Sequence, residues 1–235
     1  MRCRLVGSEM CIRDRSTAVF ISRDVYENDF LKENLEGLGH QLSGEAFIDF
    51  KPISFELNSH AKWIFFPSKN AVKYFLEQEK TIPTNFKIAA VNKGTAYALQ
   101  QLGYSPDFIG SGGDLATIAK RFDTTTEGKS VLFARAKNSR RSIQKMLEHK
   151  QIEEVVVYDN FMKTKVAKRE EAILVFTSPM NVKAYFNEHQ LGNQQKLVAI
   201  GAPTKEAIAE YGYTAAIAYE PTMWAILDQI LWLNR

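Results

Sequence analysis

Residues 87–104, KIAAVNKGTAYALQQLGY, align without a gap on residues 196–213, KLVAIGAPTKEAIAEYGY, at an offset of 109. Each copy opens with a continuous apolar run, passes through a short polar turn and continues at helical spacing to a glycine. A continuous run suits a strand buried on both faces of a parallel sheet, and a glycine just past the last periodic residue suits a helix C-terminus. A second pair repeats the pattern. Phe66-Pro67-Ser68 followed by Val72-Lys73 precedes Phe176-Thr177-Ser178 followed by Val182-Lys183 by 110 residues. A nearly constant offset is what duplication of a strand-helix series requires.

A third pair breaks the order. Val131-Leu132-Phe133-Ala134-Arg135 resembles Val19-Phe20-Ile21-Ser22-Arg23, and here the partner lies upstream. The first unit of one copy therefore stands at the start of the chain and the remainder after residue 165. Further strand candidates are residues 45–50, 63–66, 154–158 and 173–176. The expected fold is α/β, with two similar lobes of parallel sheet flanked by helices, flavodoxin-like or Rossmann-like. One lobe is discontinuous (16–44 and 164–235) and the other is inserted (52–153). Two linker strands, 45–51 and 154–163, join them as a hinge, an arrangement in which two lobes swing about a cleft.

Composition supports an ordinary globular chain of 235 residues, 45% hydrophobic and 24% charged. The longest purely apolar stretches are strand-sized, far short of the roughly 18 to 20 residues of a membrane span, so a soluble protein without a membrane partner is expected. The formal charge of +3 is unevenly spread. Residues 1–15, MRCRLVGSEMCIRDR, carry +2, and the other 220 only +1, which does not favour a nucleic-acid partner. Both cysteines, Cys3 and Cys11, lie in that segment, so no disulfide, thiol nucleophile or cysteine metal site is available from Ser16 onward. The segment lacks a secretory apolar core, and its VGSEMCIRDR resembles a translated sequencing-adapter read-through. It is set aside as a non-native leader, and a cytoplasmic monomer is expected.

In an open parallel sheet the ligand lies beyond the carboxyl ends of the strands, so the informative residues follow each apolar run. These are Arg23, Ser68, Asn92 to Thr95, Arg135 to Ser139, Ser178 and Gly201 to Thr204. Ser68, Thr95, Ser178 and Thr204 read as helix N-caps, Ser178 with Pro179 in the first helical position. A capped helix start also presents backbone N–H groups to an anion, so capping and binding coexist. The basic run Arg135 to Lys145 reads either as a solvated helix face or as an anion-binding edge. Arg135, directly after a strand, is the member expected to bind, with Arg23 its counterpart. Gly110-Ser111-Gly112-Gly113 imitates a dinucleotide fingerprint without a clean strand before it, and no Walker A sequence exists. His40, His60, His149 and His189 are isolated, so neither metal nor cofactor is implied.

Four stretches together resemble the uroporphyrinogen-III synthase family: FTSPMNVKAYF (176–186), AIGAPTKEAIAEYGY (199–213), the arginine after the first strand, and VVVYDN (155–160). The resemblance covers nearly all of residues 17–235 and agrees with the permuted repeat, since that family has two lobes and a double linker. It implies a cofactor-free cyclodehydration of the linear tetrapyrrole hydroxymethylbilane, with inversion of ring D, giving uroporphyrinogen III for haem biosynthesis. Tyr158 matches the linker tyrosine that in this family points into the cleft, and a neutral phenol is a competent proton donor there. Packing at the hinge is the other reading of Tyr158. Thr95, Thr204 and Ser178 match family positions, while Asn92 stands where glycine is common. A catalytically silent two-lobed module that binds or senses a tetrapyrrole or other polyanion is the alternative function.

Overall fold

A computed structural model describes residues 16–112, 114–147 and 151–234. The expected leader with its two cysteines, Gly113 and His149 lie outside the described residues. In chain order the elements are β1 (Ala18–Ile21), α1 (Phe30–Gly37), β2 (Gln41–Gly44), β3 (Ile48–Pro52), β4 (Trp63–Phe66), α2 (Lys69–Glu79), β5 (Lys87–Ala90), α3 (Lys93–Gln101), β6 (Phe108–Ile109) and α4 (Leu115–Thr126). They continue as β7 (Val131–Ala136), α5 (Ser142–Lys145), β8 (Ile152–Met162), β9 (Ile173–Phe176), α6 (Pro179–Phe186), β10 (Lys196–Ala199), α7 (Ala202–Ala209), β11 (Ala216–Ile217) and α8 (Met223–Leu233). Unit 1 comprises the described residues of Met1–Asp49 and Met162–Arg235, and unit 2 is Phe50–Phe161.

Unit 1 carries a five-stranded sheet, β11-β10-β9-β1-β2, in which every neighbouring pair is parallel. The other sheet runs β3-β8-β7-β4-β5-β6, with β8 to β6 parallel. The two sheets correspond strand for strand: β4 with β9, β5 with β10, β6 with β11, and β7 with β1. Register follows the same rule, since Trp63 pairs with Lys87 and Val131 in one sheet, and Ile173 with Lys196 and Val19 in the other. The permuted repeat in the sequence is thus a permuted repeat in space.

Continuous apolar runs arise because both faces of each central strand are covered. In unit 2, Ile64 and Phe66 pack with Val72, Phe75, Ala96 and Leu99 from α2 and α3, while Trp63 and Phe65 pack with Ile118, Phe122 and Ile143 from α4 and α5. In unit 1, Leu174 and Phe176 meet Val182, Tyr185 and Ile208 from α6 and α7, and Ile173 and Val175 meet Leu31, Leu35, Ile226 and Ile230 from α1 and α8. All eight of these strand residues are at most 2% exposed. Each fully buried side chain of this kind contributes about 1.5–3 kcal/mol. The helices stop as their sequences require: Gly103 after α3 and Gly212 after α7 adopt φ of 84° and 82°, where a Cβ would be strained.

Three strands differ from expectation. β2 (Gln41–Gly44) precedes the expected run 45–50, which instead overlaps β3 (Ile48–Pro52), and β6 and β11, two residues each, lie outside every expected run. The return linker is part of a sheet, because the first half of β8 pairs in parallel with β7 from Val131↔Ile152 onward. β3 lies on its other side, flanked by bonds from Ile53 N–H to the Val157 carbonyl and from Lys163 N–H to the Phe47 carbonyl, an antiparallel pattern. Among the described residues no helix is long and apolar enough to cross a membrane.

Candidate functional site

Apart from β3, the strands of each sheet are parallel, so their carboxyl ends share one edge. In unit 2 that edge carries Tyr158 on β8, Arg135 on β7, Ser68 after β4 and Thr95 beyond β5, in spatial order. In unit 1 it carries Arg23 after β1, Ser178 after β9 and Thr204 beyond β10.

Ser68 and Ser178 are the N-caps of α2 and α6, with nearly identical backbone angles (φ −162°, ψ 159° and φ −162°, ψ 157°). Their Oγ atoms accept from Ala71 N–H at 3.1 Å and Asn181 N–H at 3.2 Å. Thr95 and Thr204 are not caps, contrary to the sequence reading. Asn92 and Gly201 hold the cap positions, and each threonine is the third helical residue, 3% and 2% exposed. The departure of Asn92 from the family pattern has a physical role: its Oδ1 accepts from Thr95 N–H at 2.9 Å and caps α3.

Tyr158 owes its direction to a bulge. Arg135 pairs with Val156 and Ala136 with Tyr158, so Val157 is an extra residue in β8. Strand side chains alternate faces, and one inserted residue sends its successor to the same side. Val155, Val157 and Tyr158 accordingly all join the cluster under α2 and α3. The phenol ring is 7% exposed, stacked on Tyr74 at 5.2 Å and tilted against Phe50 at 5.9 Å, and its Oη lies 3.3 Å from Ser68 Oγ. Burial pushes the phenol above its ordinary value, Tyr74 adds to this, and the Ser68 hydrogen bond pulls the other way. The group is a protonated, desolvated donor at neutral pH.

Both arginines are engaged within their own units. The Arg135 side chain is 7% exposed, bonded to the carbonyls of Ala136 (2.9 Å) and Lys137 (3.2 Å) and paired with Glu154 at 2.9 Å, which Arg141 shares at 3.2 Å. Lys137 N–H in turn donates to the Tyr158 carbonyl at 2.8 Å, so Arg135 braces the turn beside the phenol. The expected helix face shrinks to the four residues of α5. Arg23 forms a forked pair with Asp29, the N-cap of α1, whose Oδ1 also accepts from Leu31 N–H. The Arg23 hydrogen bond and charge, with α1 amides, hold the Asp29 carboxyl below the usual range against an opposing effect of burial.

A depressed folded pKa contributes stability that is fully present above the unfolded value of about 3.9 and is lost as pH falls through the folded pKa. Asp29→Asn keeps a capping oxygen but not the charge. It should lower the melting temperature at pH 7 and flatten the acid side of the melting curve below about pH 4. An unchanged acid slope in the variant would assign the acid sensitivity to other carboxylates.

Several site features carry no sequence signal. Tyr74 and Phe50, the walls around Tyr158, sit on α2 and β3 at positions that no spacing rule marks. In unit 1 a buried polar network joins the carboxyl ends of β1 and β9. Asn181 Nδ2 donates to the Ser22 carbonyl (2.9 Å) and Thr177 Oγ1 (3.1 Å), Thr177 Oγ1 donates to the Ser22 carbonyl (2.9 Å), and Phe47 N–H donates to Asn181 Oδ1 (3.3 Å). Asn181 and Thr177 lie inside the FTSPMNVKAYF stretch (176–186), so motif residues serve here as internal partners. Of the histidines, His40 Nδ1 accepts from Thr17 N–H and His189 Nε2 bonds the Val166 carbonyl. No group of three or more His, Cys, Asp or Glu is placed to hold a metal among the described residues.

Residues 29–228 match the family model described as Uroporphyrinogen-III synthase HemD. The uroporphyrinogen-III synthetase of Helicobacter pylori superposes with a TM-score of 0.72 at 24% identity, covering 92% of this chain and 99% of that one. A mutant uroporphyrinogen III synthase from the extremely thermophilic bacterium Thermus thermophilus superposes with a TM-score of 0.61 at 14% identity, covering 93% and 99%. Those likenesses concern the fold. No curated protein sequence matches the chain. With the family description spanning Asp29 to Asp228 on a permuted two-unit α/β fold, the chain belongs to the uroporphyrinogen-III synthase family, cyclising lyases of tetrapyrrole biosynthesis.

Proposed function

We propose that this chain closes hydroxymethylbilane to uroporphyrinogen III with inversion of ring D, and that Tyr158 is the acid for the departing ring A hydroxyl. The observation that carries the assignment is the Tyr158 phenol itself, 7% exposed, protonated, and fixed between Tyr74 and Ser68 at the edge where α2 and α3 begin. The reaction loses one water and changes no oxidation state. The carbon–oxygen bond at ring A breaks as the phenol proton reaches the oxygen, and ring D attacks the resulting azafulvene through its substituted carbon. The spiro intermediate then reopens and closes in the inverted sense. A donor in a dry setting acts more strongly than in water.

The bilane carries eight carboxylates, which need positive potential without acidic neighbours. In unit 2, Ser68 and Thr95 stand in the first turns of α2 and α3, whose positive ends and exposed Lys69 and Lys93 offer such a field. In unit 1, Ser178 and Thr204 stand in the corresponding turns of α6 and α7. Arg23 and Arg135, whose charges are paired with Asp29 and Glu154, brace the turns next to these groups. The chain is further proposed to act as a cytoplasmic monomer, and the charge of only +1 over residues 16–235 supports a reading without a nucleic-acid partner.

Product identity tests the function. Hydroxymethylbilane closes by itself to the type I isomer, and only enforced ring D inversion gives type III. Purified protein supplied with freshly generated bilane should yield mainly type III, resolved by chromatography after oxidation to porphyrins. Type I alone, at protein concentrations that bind the bilane, would leave the silent binding module in its place.

A further inference from the structure

We propose that Ser68 holds the Tyr158 phenolate between two proton transfers, so that one phenol serves first as acid and then as base. The proposal rests on the reading of Tyr158 as the acid and extends it to the residue behind the phenol. Ser68 Oγ accepts from Ala71 N–H at 3.1 Å as the cap of α2, which occupies one lone pair and leaves its own O–H for the Tyr158 oxygen 3.3 Å away. A buried phenolate without a donor would be costly, and Tyr158 is 7% exposed. The stacked Tyr74 and tilted Phe50 keep the ring in register with Ser68. Behind Ser68 stands the positive end of an eleven-residue helix.

The repeat supplies an internal comparison. Ser178 has the same backbone angles and the same capping bond, yet the strand that corresponds to β8 in unit 1 is β2, four residues long and ending at Gly44. Capping alone therefore does not demand a phenol beside the serine. The two units part company where β8 continues through its bulge to Tyr158.

The transfers balance. In the first, the phenol O–H bond breaks, its proton goes to the hydroxyl that leaves ring A with the carbon–oxygen electron pair, and water and a phenolate result. The phenolate then accepts from Ser68 O–H while ring D attacks, reopens and recloses. In the last, the C–H bond at the α-carbon of ring D breaks, its electron pair restores the pyrrole, and its proton returns to Tyr158. One water is lost and the side chain is regenerated.

The test is a double-mutant cycle on kcat for type III formation. Ser68→Gly deletes the hydroxyl while keeping a tolerated N-cap, and Ser68→Thr restores both hydroxyl and cap. Ser68→Gly should lower kcat about 10- to 100-fold, with KM within about threefold and a melting temperature within a few degrees of the parent. Ser68→Thr should recover most of the rate. In Tyr158→Phe protein, adding Ser68→Gly should change kcat by less than about twofold, because the hydroxyl then has no phenolate to hold. Full kcat in Ser68→Gly, or an equal further loss in the Tyr158→Phe background, would overturn the role of Ser68 while leaving Tyr158 as the acid. Full turnover in Tyr158→Phe alone would instead remove the acid assignment and this proposal with it.

Discussion

Tyr158→Phe should lower the rate of type III formation by about 10- to 1000-fold while the protein melts within a few degrees of the parent. The substitution keeps the ring, so the stack on Tyr74 and the contact with Phe50 persist, and only one O–H group leaves. Loss of a single hydrogen bond of this kind is worth about 0.5–1.5 kcal/mol of stability. The same O–H is the donor to a hydroxyl that departs poorly unprotonated, so its removal is felt in kcat. Because burial raises the phenol above its ordinary value, the acid stays protonated through mildly alkaline pH, and activity should not decline with phenol ionisation below about pH 10. Parent-like turnover, measured on isomer-resolved product, would return Tyr158 to a packing role.

Gly110→Ala should be among the most destabilising single changes available in unit 2. A Cβ at this position would stand 2.0 Å from the Val91 carbonyl oxygen, 2.8 Å from its carbonyl carbon and 2.9 Å from Ile118 Cγ2. Two of the three obstacles are backbone, which cannot rotate away. Retreat of Gly110 is resisted as well, since its N–H donates to the Ala90 carbonyl at 2.9 Å and continues the pairing of β6 with β5. The expected loss is about 3–5 kcal/mol. For a unit of this size that is a fall in melting temperature of more than about 10 °C. Gly201→Ala provides the contrast, because Gly201 is extended (φ −174°) and an added methyl would meet nothing within 4 Å; alanine caps a helix less well than glycine, so its melting temperature should fall by only a few degrees. A Gly110→Ala protein that melts like the parent would mean that the end of β6 shifts freely.

The fold was legible where burial is two-sided. β4 and β9 are four apolar residues each, covered on both faces, and their partners β5 and β10 recur at nearly the same spacing, so repeat and sheet could be read together. β2 carries one apolar residue, Leu42, at the edge of its sheet, where the backbone ladder with β1 forms the strand without a hydrophobic pattern. β6 and β11 are too short for any period to register. At the site, Ser68 and Ser178 could be placed at helix starts because a cap acts within three residues. The meeting of Ser68 with Tyr158 could not, since it depends on a bulge at Val157 and on partners 90 residues apart. Thr95 and Thr204 were misplaced by one turn because Asn92 and Gly201, three residues earlier, are equally able to start a helix.

The permuted repeat also sets an order of assembly during synthesis. All of unit 2 is contiguous, so its sheet can close once the chain has emerged to about β8. β1 and β2 come first but find their central neighbour β9 only at Ile173, 129 residues after Gly44. At typical elongation rates that gap is on the order of ten seconds, during which Val19, Phe20 and Ile21 have no sheet to enter. The earliest strands of this chain are therefore among the last to be sheltered, and a chaperone acting on the nascent chain would find its apolar target at residues 18–21, upstream of a unit already folded.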